Sequence, residues 1–129
     1  MINFYLIFPG LIIGVILYQT VLVAPTVFKT IDSKNTSKFL RKIFPRFFMF
    51  IFILGILAFL ESYYNSRGNT LYILYIVTSI FSLTAFLLIP MTNKATDDNN
   101  KKKFKTLHSL SVFLTIIILI INFIPFIFK

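Results

Sequence analysis

Four apolar stretches, separated by polar ones, divide this chain of 129 residues. They cover approximately 4–24, 47–63, 71–89 and 107–128. Each holds about 17 to 22 residues, enough to cross a hydrocarbon layer of about 30 Å as a helix. A segment inside lipid has to satisfy its own backbone hydrogen bonds, so the pattern predicts helices. Four strands would not close a barrel, and the period-two alternation of a membrane barrel is missing. The expected fold is therefore an all-α membrane protein. It is a single domain over 1–129, an antiparallel bundle of four transmembrane helices with a short amphipathic interfacial helix in the first cytoplasmic loop.

That interfacial helix is expected in SKFLRKIFPRFF (37–48), where Phe39, Leu40, Ile43 and Phe44 interleave with Lys38, Arg41 and Lys42. At helical spacing this makes one apolar and one basic face, suited to the headgroup layer. Thr36 or Ser37 is the expected cap, and Pro45 the expected bend into the second span. Pro25 and Pro90 are expected to end or kink the first span and to end the third. The stretch from Thr92 to Lys105 reads as a polar, mobile loop. Met1-Ile-Asn-Phe has no basic residue and Val23-Ala24-Pro25 is a poor cleavage site, so the first span reads as retained.

The polar residues inside the spans follow a pattern. Gly10 and Gly14 make a step that admits a close neighbour, and Gly55, Ala58 and Ser62 make a small-residue stripe for packing. Thr78, Ser82 and Ala85 share one face of the third span. On the fourth, His108, Ser111, Thr115 and Asn122 fall within an arc of about 60°. That polar stripe is expected to face the bundle, since lipid would leave its groups unpaired. Glu61 reads as an interfacial carboxylate near Arg67, across the short turn NSRGN.

Charge orients this bundle. The net charge is +9, and eleven of the 13 basic residues lie in two stretches. One carries Lys29, Lys34, Lys38, Arg41, Lys42 and Arg46, the other Lys94, Lys101, Lys102, Lys103 and Lys105. Both belong to the same side of a four-helix protein, so the positive-inside rule puts them in the cytoplasm and both termini outside, in a bacterial inner membrane. Tyr5, Tyr63, Tyr64, Tyr72 and Tyr75 then form an aromatic belt at the outer interface. The expected partner is a bilayer with anionic headgroups on the cytoplasmic side, touched by Lys38, Arg41, Lys42 and Arg46. Lysines that flank membrane spans do not indicate nucleic acid.

Composition adds mainly exclusions. The chain is 57% hydrophobic and 13% charged, without cysteine, against about 25% charged residues in soluble domains. Thiolate catalysis, disulfides and thiolate metal sites are excluded. Asp97-Asp98 among lysines reads as solvated, so no metal is expected. One histidine cannot make a bis-histidine haem site within a subunit, Met49 is the only thioether inside a span, and no cofactor is expected. No carboxylate pair, nucleophile–base set or phosphate loop points to an enzyme.

The candidate polar site comprises Gln19, Asn93, His108, Ser111, Thr115 and Asn122. By topology Gln19, Asn93, His108 and Ser111 lie at similar depth near the basic end. Histidine is the side chain suited to exchanging protons near neutral pH. His108 either does that or fastens the loop by bonding Gln19, Asn93 or a loop carbonyl.

These residues also carry a resemblance. Gln19…Ala24-Pro25…Phe28, Phe44-Pro45-Arg46-Phe47, Leu88-Ile89-Pro90…Asn93…Asp97 and Phe104…Leu107-His108-Ser109-Leu110-Ser111-Val112 resemble the transmembrane protein 205-like family. That family includes small bacterial membrane proteins grouped as domain of unknown function 4149. The resemblance implies a four-helix membrane protein with no assigned reaction. The chain departs from the family's pattern at Leu11-Ile12-Ile13-Gly14, where relatives carry a Trp-Leu-Gly-like stretch, and at Thr115, near which they tend to have Asn. The expected function is handling of a small solute or ion through the polar cluster, with or without a homo-oligomer. The alternative is a non-catalytic accessory or scaffold subunit with a membrane partner, and a haem-binding redox protein ranks below both.

Overall fold

The computed structural model describes residues 3–128, which form four helices and no strand. We label them α1 (Phe4–Thr30), α2 (Ser33–Tyr64), α3 (Asn69–Asp97) and α4 (Lys101–Ile127). Each is long and apolar enough to cross a membrane. α1 and α3 both pack against α2 and α4, so the helices form a closed square with α1 and α3 on a diagonal. The α2–α3 and α3–α4 seams are the most extensive, and α1 is held more loosely.

The helices run further than the apolar pattern predicts, mostly at the basic end. The expected interfacial helix is instead the first part of α2, continuous with its span through Pro45. Its cap is Asp32 rather than Thr36 or Ser37: Oδ2 accepts from the Asn35 backbone N–H at 3.3 Å and Oδ1 from Asn35 Nδ2 at 2.7 Å. These bonds hold the Asp32 carboxyl below the usual carboxylate range.

α3 likewise continues past Pro90 to Asp97. Proline removes a backbone donor and crowds the preceding turn. Membrane helices tolerate this where neighbouring helices and local adjustment relieve the strain; the carbonyl left without an amide donor is that of Phe86, while Thr92 Oγ1 makes an ordinary back-bond to the Leu88 carbonyl at 2.9 Å. Buried Ala95 anchors the added turn. The expected mobile loop therefore shrinks to residues 98–100, with Asn99 at φ 53° and Asn100 Oδ1 accepting from the Lys103 N–H at 3.1 Å.

Pro25 does not end α1, and the helix is distorted just before it. Residues Tyr18–Val23 form a π-helical turn, and the Ala24 N–H donates five residues back to the Gln19 carbonyl. The wider turn makes room for a proline ring that would clash with the Val21 carbonyl in a regular α-helix.

The core has two parts. Ile12, Ile16, Phe47, Phe48, Ile51, Leu54, Ala85, Leu114 and Ile118 fill the middle and the basic half. Ala58, Leu74 and Tyr75 fill the other half, with Phe8 packed against both clusters. The closest approach is at Gly55, where a Cβ would lie 2.6 Å from Ser79 Oγ and 3.4 Å from the Ser79 backbone nitrogen. Only glycine lets α2 and α3 come this near. The outward residues, among them Leu11, Phe50, Ile80, Phe113 and Ile120, are large and apolar, as a lipid-facing surface requires.

Candidate functional site

The basic end is mostly solvated. At about 1.5 Å per residue, helices this long exceed a hydrocarbon layer of about 30 Å by two turns or more, and their polar overhangs lie here. Arg41 and Asp97 clasp the overhangs of α2 and α3 by a bidentate pair, with Nη1 donating to Oδ2 at 3.1 Å and Nη2 to Oδ1. The guanidinium holds the Asp97 carboxyl below the usual carboxylate range. Of the four basic residues expected to touch headgroups, Arg41 is thus engaged with Asp97. Lys38, Lys42 and Arg46 are exposed.

The six candidate site residues do not form one cluster. His108 is exposed rather than turned into the bundle, and its ring stacks flat on Phe104, with centroids 5.5 Å apart and planes 6° from parallel. No hydrogen bond among the described residues joins it to Gln19 or Asn93. The neighbouring Leu107 is already buried, so α4 is packed at this level and His108 lies on its outward face; the α4 stripe turns inward only from half-buried Ser111 onward. Thr115 Oγ1 donates to the Ser111 carbonyl at 2.8 Å. Asn93 is half-buried on α3. Gln19 is buried in the π-helical turn, and its Nε2 has no partner among the described residues.

Asn122 lies far from the basic end and is fully buried. Its Nδ2 donates to Thr78 Oγ1 at 3.0 Å and to the Ile118 carbonyl at 2.8 Å, while Oδ1 has no partner among the described residues. This bond joins α4 to α3 at the level of Gly55, at the inner edge of a second set of polar residues that sequence reading did not assemble.

The second group lies towards the tyrosine end, opposite the basic overhangs. Glu61 Oε1 accepts from Arg67 Nη2 at 3.0 Å, and the Arg67 guanidinium sits 5.1 Å above the centre of the Tyr5 ring. Tyr75, expected in an aromatic belt, is instead fully buried between the helices. Tyr63 and Tyr72 do line this end, packed with Phe59. Helical side chains lean towards the helix N-terminus, and α3 begins here, so the Tyr75 phenol is directed towards the level of Glu61 and Ser62.

Four buried oxygens in this half have no partner among the described residues: Glu61 Oε2, Ser62 Oγ, Tyr75 Oη and Asn122 Oδ1. Ser79 and Ser82 nearby are satisfied by carbonyls of their own helix. Such orphans are rare in folded proteins, and each marks a place where water, an ion or a ligand group completes the hydrogen bonding. Two of the four, a carboxylate oxygen and an amide carbonyl, can only accept; the hydroxyls can do either. The set suits a guest that donates hydrogen bonds or carries positive charge. The one sequence signal for it was the small-polar spacing of Ser62, Thr78 and Asn122, which does not reveal that three helices converge there.

The chain is an integral membrane protein with a polar interior in one half. Comparison with curated proteins and with solved structures finds no match. The model of a domain of unknown function, DUF4149, matches residues 7–101. The matched stretch includes Gln19, Glu61, Ser62, Tyr75 and Asn93 and stops at the first residue of α4. The protein belongs to the DUF4149 family.

Proposed function

We propose that this protein handles a small cation or hydrogen-bond-donating solute, of the size of sodium or ammonium, in the buried polar group of Glu61, Ser62, Tyr75 and Asn122. What carries this reading is the run of four buried oxygens without partners among the described residues, one of them a Glu61 carboxylate oxygen, spread over the tyrosine half of α2, α3 and α4. In a low-dielectric interior an unmet acceptor is costly, and a small guest with donors or positive charge relieves it. The role is non-enzymatic. The protein sits in a bacterial inner membrane with its basic overhangs in the cytoplasm, as the charge asymmetry favours, so the guest enters from the outer, tyrosine-lined face.

The test is thermal unfolding of the purified protein in sodium, ammonium or choline chloride at equal ionic strength. A guest that binds only the folded protein stabilises it by about 2.7 kcal/mol at a hundredfold excess over its dissociation constant. Sodium or ammonium should raise the midpoint above that in choline, which is too large to enter, and Glu61→Gln and Tyr75→Phe should erase the difference. Equal midpoints in all three salts would refute the reading. The orphans would then be met by water, and an accessory-subunit role would take its place.

A further inference from the structure

A groove of about 700 Å³ runs between α1 and α2, from Arg46 at the basic end past the middle of the bundle to Gly10, on a different face from the polar residues described above. Its floor is unusual for a lipid-facing surface. Gly10 and Gly14 leave one side without side chains: Gly10 touches Phe126 behind it, whereas a Cβ at Gly14 would meet nothing within 4 Å. Leu11, Tyr18 and Phe50 flank it and are exposed, so the groove opens sideways to hydrocarbon.

Its polar groups are few and of one kind. Gln19, only 6% exposed, lines the groove, and its amide nitrogen is a buried donor without a partner among the described residues. The π-helical turn contains this residue, and such turns recur at functional sites. Arg46 lines the same groove. It is exposed, forms no ion pair among the described residues, and precedes the apolar part of α2 by one residue, at headgroup depth. No acidic residue lines the groove. A donor amide and a guanidinium above an apolar trough call for a molecule with an anionic oxygen-rich head and a hydrocarbon tail.

We propose that this groove binds one anionic glycerophospholipid from the leaflet at the basic end. Its phosphate lies on the Arg46 guanidinium, its ester region on the Gln19 amide, and one acyl chain along Gly10 and Gly14. The planar fork of arginine matches two phosphate oxygens. The ester carbonyl supplies the acceptor that Gln19 lacks. An acyl chain fills the trough without help from the protein. A second copy of the chain packed on Gly14 would fill the trough too, and the experiment distinguishes it by mass.

The experiment is native mass spectrometry of the protein released from mixed micelles holding equal amounts of phosphatidylglycerol and phosphatidylcholine. The expected spectrum has one phosphatidylglycerol retained per chain in preference to phosphatidylcholine. Arg46→Gln should reduce that preference roughly fivefold, the share of one basic residue at an anionic surface. Gly14→Leu should remove the retained lipid of either type by filling the trough. Lys42→Gln, on the same helix outside the groove, should change nothing. Arg46 and Gly14 are exposed, so these variants should keep the wild-type unfolding midpoint. Lipid retention unaffected by both variants would overturn the proposal. So would a lipid-free dimer that Gly14→Leu dissociates, which would assign the groove to a second copy. Neither result touches the salt experiment on the tyrosine end.

Discussion

The two ends of this bundle use polar residues in opposite ways. At the basic end they sit on helical overhangs, meet solvent and pair at the surface, as Arg41 does with Asp97. At the tyrosine end they are inside, as Tyr75, Ser62 and Asn122 are, and several lack protein partners. The difference shows that the number of charges at an end says little about where chemistry can occur. Eleven basic residues mark the solvated end. A single carboxylate, largely covered and held by Arg67, marks the end where most of the unmet hydrogen bonds lie; among the described residues the basic end has one, at Gln19.

Substitutions should separate the two ends. The largest effect is expected at the seam that leads into the tyrosine end. Gly55→Leu pushes α2 off Ser79 and should cost about 1–3 kcal/mol of stability, as overpacking does, whereas the same residue placed at Gly14 should cost nothing measurable. Unfolding in detergent measures both. Next is Asn122→Ala, which leaves Thr78 without its donor and opens a cavity, for a loss of about 1–3 kcal/mol. Asn122→Leu removes the orphan oxygen along with the amide and should be milder. If the leucine variant is as unstable as the alanine one, the site is not short of partners.

Tyr75→Phe should be smaller still in plain buffer, since the lost hydroxyl has no protein partner. In sodium or ammonium it should lose the stabilisation that wild type gains, so the contrast between salts is the readout. The smallest effects belong to the basic end. His108→Ala removes one exposed stacking contact and should leave the midpoint unchanged. Asp97→Asn should also be nearly silent, because exposed pairs contribute little and are screened by salt. The pH dependence has a definite sign. Asp97 has its carboxyl depressed when folded, so the clasp contributes fully above the ordinary carboxylate range. It is lost as pH falls through the depressed value. In acid the wild type should therefore come to resemble Asp97→Asn.

The architecture was legible because membrane spans announce themselves by length and apolarity. The inward stripe of Gly55, Ala58 and Ser62, the shared face of Thr78, Ser82 and Ala85, and the Glu61–Arg67 pair follow from helical spacing and one short turn. Helix continuity did not. Pro45 and Pro90 look like breaks in a linear reading, whereas the capping by Asp32 and the burial of Ala95, which anchor the helix beyond each proline, are set by the folded geometry. The candidate site was legible only in part. Thr115 and Asn122 face the bundle as the stripe requires, but His108 faces outward beside buried Leu107. Tyr75 joins the polar interior because of register: Gly55 opposite Ser79 sets which turn of α3 meets Ser62. No spacing within a single helix encodes that.

The tight turn over 65–68 has a consequence for how the protein enters its membrane. α2 and α3 are joined by four residues and pressed together at Gly55, so they can insert as one hairpin. In the orientation proposed above, with the basic stretches on the side of synthesis, the tip of that hairpin has to cross the hydrocarbon. The charged residues it carries are Glu61 and Arg67, already bonded to each other. An isolated charge crossing lipid is strongly opposed; a closed pair with no net charge is opposed less. Neutralising either partner alone, by Glu61→Gln or Arg67→Gln, should then slow membrane insertion more than replacing both together.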